Sequence, residues 1–318
     1  MEYVIDKLTE GLTVLEYIKK NVCISRAHLK HIKFIHNGIT VNGEHVTVRY
    51  RLQGGDKLSL LLEDIDNITE KITPVELPLN ISFEDDDCVV PSKPGDMPTH
   101  PSFGHYDDTV ANALVWRYET LGVPFVFRPI NRLDRNTSGL LLIAKNRVAA
   151  GRLSLAMQEG RIKKMYLAIL DGELNSPDGE IQTYMRRTQE SIIVRENCNE
   201  GEGGDFARTL YHVLSVNNGY TLVAAMPVTG RTHQLRVHFA SLGAPILGDE
   251  LYGTPSDKIP RHALHSCALE FPLPLGEEVK RIYSQMPDDM QMIADEHFEV
   301  SYEEIFRVFD DLIERMNG

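Results

Sequence analysis

The sequence predicts an α+β fold, with a largely antiparallel, mixed-sheet main domain flanked by helices and a small αβ module preceding it. Three observations predict this. Short β-like runs outnumber helical ones, Asn-Gly dipeptides fall between pairs of them, and helical periodicity is confined to a few separate stretches. With 318 residues, 42% of them hydrophobic, the chain can bury one large core or two unequal ones.

The first unit is expected over residues 12–61. Its opening stretch, GLTVLEYIKKN, places Leu12, Leu15 and Ile18 near helical spacing. A second, basic stretch, SRAHLKHIKFIHNG, reads as a helix with Ser25 as N-cap and a stop at Asn37-Gly38. ITVNGEHVTV predicts a tight hairpin turned at Asn42-Gly43, and LQGGDKLSLLL a further strand. Residues 62–78 are polar, poorly periodic and carry two prolines, as a linker does. The main domain, 79–287, opens on the strand-like NISFEDDDCVV. GEIQTYMRR, ESIIVRE and HALHSCALEF read as strands, and RTLYHVLSV and YTLVAAMPV as a pair joined across Asn217-Asn218-Gly219. Helices are predicted in DTVANALVWRYETLG, RVAAGRLSLAMQEG and RTHQLRVHFASLG. Residues 288–318 form an acidic tail whose amphipathic stretch, YEEIFRVFDDLIERM, predicts a helix, either docked on the body or offered to a partner.

Cys23, Cys88, Cys198 and Cys267 lie far apart without a CxxC pair, so neither a zinc ribbon nor a disulfide framework is indicated and a reducing cytoplasm fits best. The opening MEYVIDKLTEGL lacks a basic segment followed by an apolar one, and no apolar run approaches the roughly 20 residues of a membrane helix, so the expectation is a protein neither exported nor membrane-spanning. The formal charge of −13 argues at first against a polyanionic partner. Its distribution reverses that. From residue 288 onward ten acids face two arginines, whereas residues 128–166 hold nine bases against Asp134 and Glu159. Such a local positive patch steers a polyanion more than net charge does. Within it, PINRLDRNTSGLLLIAKN sets Asp134 between Arg132 and Arg135, before the apolar run 140–144. That is either a structural ion pair capping a strand or a reactive carboxylate in an anion-binding cleft.

NRLDRNTSGLLLIAKN closely resembles the catalytic motif of the RluA-like pseudouridine synthases, HRLDxxTSGLLLxAK. Three further blocks match that family in the same order: HPSFGHYDDTVANAL (100–114), KKMYLAIL (163–170) and GRTHQLRVHFASLGAPILGDELYG (230–253). SRAHLKHIKFIHNGITVNG, with the later GGDKLSL, resembles the S-four-type RNA-binding module.

The resemblance makes Asp134 the single essential carboxylate, attacking C1′ or removing the 2′ proton as the N1–C1′ bond breaks; the sequence leaves both open. It makes Tyr166, in Lys164-Met165-Tyr166, a base for the C5 proton or a stacking partner for uracil, and Arg236, in HQLRVH, the guanidinium paired with Asp134. The target base must leave its stack, at a cost of a few kcal/mol. Arg132 is placed to fill the vacated stack or hold a phosphate. Arg135 and Lys164 are expected to contact RNA. So are Arg231, His233 and Gln234, read with Thr232 as the first turn of a helix whose N–H groups favour phosphate. Arg26, Lys30 and Lys33 add contacts from the N-terminal module. His233 and His238 lack carboxylate companions at metal-ligand spacing, so no metal is expected, and the chemistry requires no cofactor.

The implied function is isomerisation of specific uridines to pseudouridine in structured RNA, large-subunit ribosomal RNA before transfer RNA, by a monomer in the cytoplasm. The alternative is a non-catalytic RNA-binding or ribosome-assembly protein on the same fold; retention of Asp134, Tyr166 and Arg236 argues against it. A glycosidase would need a second carboxylate beside Asp134, and none is evident in these blocks. The chain departs from the family at Asn131, where histidine is usual, and at Pro91, Ser92, Gly95 and Asp96, where VNKPAGM becomes VPSKPGDM. RNA positioning by those loops is the property in doubt.

Overall fold

The computed structural model describes residues 2–22, 29, 32–61, 72–174, 176–191, 193–276 and 278–317. The N-terminal unit is a four-stranded antiparallel sheet of β1 (Glu2–Val4), β2 (Ile39–Val41), β3 (Glu44–His45) and β4 (Lys57–Leu60), in the order β1-β4-β2-β3. The predicted hairpin is there: Asn42 and Gly43 both take positive φ, which a two-residue turn between right-twisted strands requires. Helix α1 (Val14–Tyr17) starts at the Thr13 cap, where the Thr13 side chain and Glu16 satisfy each other's backbone amides, and it runs on into a π turn, Ile18–Val22. Starting there leaves Leu12 outside the helix, so the inward face is Val14, Tyr17, Ile18 and Val22 rather than Leu12 and Leu15. Of the expected basic helix, Ser25, Arg26 and Lys30 lie outside the described residues; Lys33 is exposed, 4.6 Å from the centre of the Phe34 ring.

Residues 72–78 of the expected linker lie extended against the main body, with Asn112 Nδ2 donating to Thr73 O. The main body is an α+β unit built on a twelve-stranded, mostly antiparallel sheet. NISFEDDDCVV is two strands, β5 (Asn80–Glu84) and β6 (Cys88–Lys93), because the Asp85 carboxylate accepts from the amides of Asp87 and Cys88 and turns the chain. Next come α2 (Val110–Thr120), β7 (Arg128–Pro129), β8 (Ser138–Leu140), β9 (Ile143–Ala144), α3 (Arg147–Gln158) and β10 (Lys163–Asp171). The rest of the sheet is β11 (Asp178–Arg187), β12 (Arg195–Cys198), β13 (Asp205–Asn217), β14 (Tyr220–Pro227), β15 (Leu264–Pro272) and β16 (Val279–Tyr283). The strand expected in ESIIVRE begins only at Arg195: the Ser191 hydroxyl accepts from the amides of Ile193 and Val194 and makes a turn instead. Asn218 and Gly219 close the β13–β14 hairpin with positive φ, as the sequence predicts.

The apolar run after Asp134 is buried on both sides. Leu141 and Ile143 belong to one core cluster and Leu140, Leu142 and Ala144 to another, the period-two alternation of extended chain between two apolar layers. Helix α4 (Gln234–Ser241) and the tail helices α5 (Asp288–His297) and α6 (Tyr302–Asn317) add to the larger cluster. The tail is docked, not free: α6 lies on β13 and β14 and buries Ile305, Val308, Phe309 and Leu312. No helix among the described residues is long and apolar enough to cross a membrane.

Candidate active site

Asp134 sits on the loop between β7 and β8, and buried side chains hold that loop at four positions around it. Thr99 Oγ1 bonds both the N–H and the C=O of Leu133. Lys93, 1% exposed, directs its ammonium at the carbonyls of Arg135, Pro94 and Met97, each at 2.8 Å. Arg261, itself paired with Asp289 of α5, donates to Asn136 O. Thr137 Oγ1 meets His262 Nε2 at 2.8 Å, and Thr137 N closes a turn onto Asp134 O. Asn131, where the family usually has histidine, also serves the loop: its Oδ1 accepts from Leu142 N, between β8 and β9. Gly139 lets β8 run parallel beside β15, since its φ is +109° and a Cβ there would lie 2.2 Å from Ser266 O.

The carboxylate faces Arg236, with Oδ2 3.5 Å from the guanidinium, and His233 Nε2 at 3.8 Å. Arg236 has a closer partner that sequence reading missed. Its Nε and a terminal nitrogen both bond Asp249 at 2.7 Å, and Asp249 is fully buried and also accepts from the amides of Leu251 and Tyr252. Burial opposes charge on both residues, but the bidentate pairing outweighs it, raising Arg236 above the guanidinium range and lowering Asp249 below the usual carboxylate value. Asp249 is therefore a brace that aims Arg236 at Asp134. Reading of the GDELYG block missed this role; Asp249 does not line the cavity, so it is not the second carboxylate a glycosidase would place beside Asp134. Tyr252 completes the brace: its ring lies 5.1 Å from Arg236, and its hydroxyl is 2.8 Å from His233 Nδ1. Burial holds the His233 imidazole below its ordinary pKa, against the pull of Asp134.

Asp134, Tyr166, Arg236, Arg132, Lys164, Arg231, His233 and Gln234 all line one cavity of about 640 Å³, large enough for a nucleotide. Tyr166 comes from β10, opposite Ser266 of β15; burial pushes its phenol well above the usual value. Burial likewise pulls Lys164 down to about 8. The α4 reading needs correction. His233 takes left-handed φ, so the helix starts at Gln234, and Arg231, Thr232 and His233 form the turn before it. The Gln234 amide is spent within the protein: Oε1 accepts from Thr229 Oγ1 and Arg231 N, and Nε2 donates to Arg208 O. Arg135 does not line the cavity; it pairs with Asp96, which holds left-handed φ in the loop where the chain departs from the family. Lys145, at the far end of the motif, is tied to Glu84 at 2.9 Å. The positive patch thus divides into structural cations and those that face the cavity. The tail reaches the site as well, since Met316 lines the cavity and Lys163 Nζ is 3.7 Å from its sulfur.

Residues 87–241 match the family model described as RNA pseudouridylate synthase. The chain is 37% identical to the uncharacterized RNA pseudouridine synthase YjbO of Bacillus subtilis over 282 residues, 89% of this chain and 98% of that protein. The chain belongs to the RluA-like family of RNA pseudouridine synthases. It is also 34% identical, over 84% of its own length and 85% of the relative's, to the ribosomal large subunit pseudouridine synthase D of Vibrio cholerae. Among solved structures, the human RNA pseudouridylate synthase domain containing 1 superposes with a TM-score of 0.60 at 28% identity, covering 73% of this synthase and 95% of that chain.

Proposed function

We propose that this synthase isomerises uridine in structured large-subunit ribosomal RNA, with Asp134 as the carboxylate that opens the glycosidic bond. The observation that carries the reading is the Asp134–Arg236 pair, at 3.5 Å, at the edge of a cavity that Tyr166 also lines. A flipped uridine placed there exposes its sugar to Asp134. The carboxylate either attacks C1′ as the N1–C1′ bond breaks and is displaced when C5 joins C1′, or takes the 2′ proton as that bond breaks and returns it when C5 joins; the uracil turns between the two steps, the C5 proton then leaves, and N1 takes up a proton. Arg236, fixed from behind by Asp249, stabilises negative charge on the carboxylate and the departing base. Tyr166 enters the reaction as a neutral phenol, because burial disfavours its phenolate; it packs on the uracil and relays the C5 proton through its oxygen.

Ribosomal RNA is the substrate class named for the Vibrio cholerae relative. The N-terminal unit, with exposed Lys33 and with Arg26 and Lys30, adds phosphate contacts, and Arg132 occupies the emptied stack. The enzyme acts as a cytoplasmic monomer. The test is to map pseudouridine in ribosomal and transfer RNA from cells with and without the gene, then restore it with purified protein. Loss at specific large-subunit uridines is expected. Loss confined to transfer RNA would move the substrate, and no loss in either RNA would overturn the reading.

A further inference from the structure

A second concavity, of about 610 Å³, borders the catalytic one, and Gly230, Arg231 and Thr232 line both. Its opposite side is the β11–β12 hairpin, with Arg186 and Arg187 at the end of β11 and Arg195 at the start of β12. The register sets Arg187 directly across from Arg195. Like charges placed opposite each other destabilise a strand pair, so this arrangement costs the folded protein something unless an anion lies between them.

The four guanidiniums are not equivalent. Arg186 is spent on Glu196 at 2.9 Å and on Glu202 O. Arg187 is exposed and has no ion-pair partner among the described residues. Arg195 donates to the carbonyls of Ile193 and Val194, which fix the orientation of its guanidinium. Arg231 is held by Phe206 O at 2.9 Å; its acidic neighbour, Asp205, is 3.9 Å away with a solvent-exposed side chain, a weak pairing. Three guanidiniums therefore converge on one concavity in which Asp205 is the one acid among the lining residues.

We propose that this concavity binds phosphates of the RNA strand that continues out of the catalytic cleft across the Gly230–Thr232 wall. The proposal rests on the reading of the chain as an RNA-modifying synthase. A guanidinium fork matches phosphate oxygens bidentately, and contacts of this kind fix the register of a strand without reading its sequence. The shared wall favours RNA over an acidic protein, because a strand whose uridine fills the first cavity has neighbouring phosphates at the lip of the second. Arg187 and Arg195 hold that strand while Asp134 acts on the base.

The test compares oligouridylates of about 4 and about 16 nucleotides, the range of single-strand site sizes, binding to the full-length protein across a salt series. The shorter one fills the catalytic cleft; the longer one also crosses the wall. Arg187→Gln should flatten the plot of log affinity against log salt by about 0.7 for the longer RNA, and Arg187→Gln with Arg195→Gln by about 1.4, with no change for the shorter one. Arg187→Lys should restore the slope. If Arg195→Gln impairs folding, the exposed Arg187→Gln carries the test alone. The parent slope on the longer RNA in Arg187→Gln would overturn the proposal and leave the synthase reading standing, and it would open the surface to an acidic protein instead. A parent protein that binds neither RNA would likewise overturn the proposal, while the synthase reading stands or falls on the pseudouridine map of ribosomal and transfer RNA.

Discussion

Leu133, Arg135, Asn136 and Thr137, the residues around Asp134, each hang from a side chain of another element, and two of those, Lys93 and Arg261, are buried basic groups. In the N-terminal unit the order is inverted: a small apolar core of residues such as Val14, Ile39 and Leu58 lies inside, and the described cations Lys19, Lys20 and Lys33 stand exposed. On the proposed function, the difference follows from two tasks. A carboxylate that must meet one atom of a substrate loses about 100-fold in rate if displaced by about 1 Å, and a loop fixed by buried polar bonds meets that demand. The phosphate contacts proposed for the N-terminal unit would require only charge within a screening length, and exposed lysines can supply that.

The comparison predicts the largest effects where buried charge is disturbed. Asp249→Asn leaves Arg236 without its bidentate partner and should cost about 3–5 kcal/mol in chemical denaturation, with turnover lost on every RNA. A variant as stable and active as the parent would remove Asp249 from the brace. Arg132→Lys keeps the charge and loses the flat guanidinium; it should cost about 1–3 kcal/mol in kcat/KM on a structured RNA and much less on one whose uridine is already unstacked. Equal losses on both would make Arg132 a plain phosphate contact. Thr13→Ala removes the cap of α1 and should lower the stability of the N-terminal unit by about 1 kcal/mol, while turnover on a short, saturating RNA stays at the parent level. A parallel fall in that turnover would show that the two regions are not separable in this way.

The smallest effect should be one of pH. The Lys164 ammonium, lowered to about 8 by burial, is charged below that pH and neutral above it. RNA affinity should therefore weaken a few-fold as pH rises through about 8, and Lys164→Gln should abolish that component. An unaltered pH profile in the variant would assign the titration to another group.

Much of this was legible in the sequence, for identifiable reasons. Asp134, Tyr166 and Arg236 lie in contiguous motifs, and the Asn42-Gly43 and Asn218-Gly219 turns announce themselves because few other residues tolerate positive φ. Asp249 stood in a block already read, but its role depends on Arg236, thirteen positions earlier on another element, and spacing alone does not show that pairing. An acid directly after a glycine, soon after a helix that carries a lone inward arginine, was the available signal. Lys93 and Arg261 were hidden for a related reason: they act through backbone carbonyls, which no side-chain pattern marks. The early start expected for α4 failed because one residue, His233, adopts a left-handed conformation. The strand expected in ESIIVRE failed because one hydroxyl, Ser191, captures two amides.

The central claim is that Asp134 starts the reaction and Tyr166 completes it. Hydrogen release from C5-tritiated RNA, read beside the nucleosides recovered from the enzyme-bound fraction, tests it most directly. Asp134→Asn should bind RNA with the parent's affinity, release no tritium and leave every uridine intact, whereas Tyr166→Phe should cleave the glycosidic bond and accumulate altered, unreleased uridine without tritium loss. Normal tritium release by Tyr166→Phe would leave the tyrosine a packing residue, and pseudouridine formed by Asp134→Asn at the parent rate would contradict the account at its root.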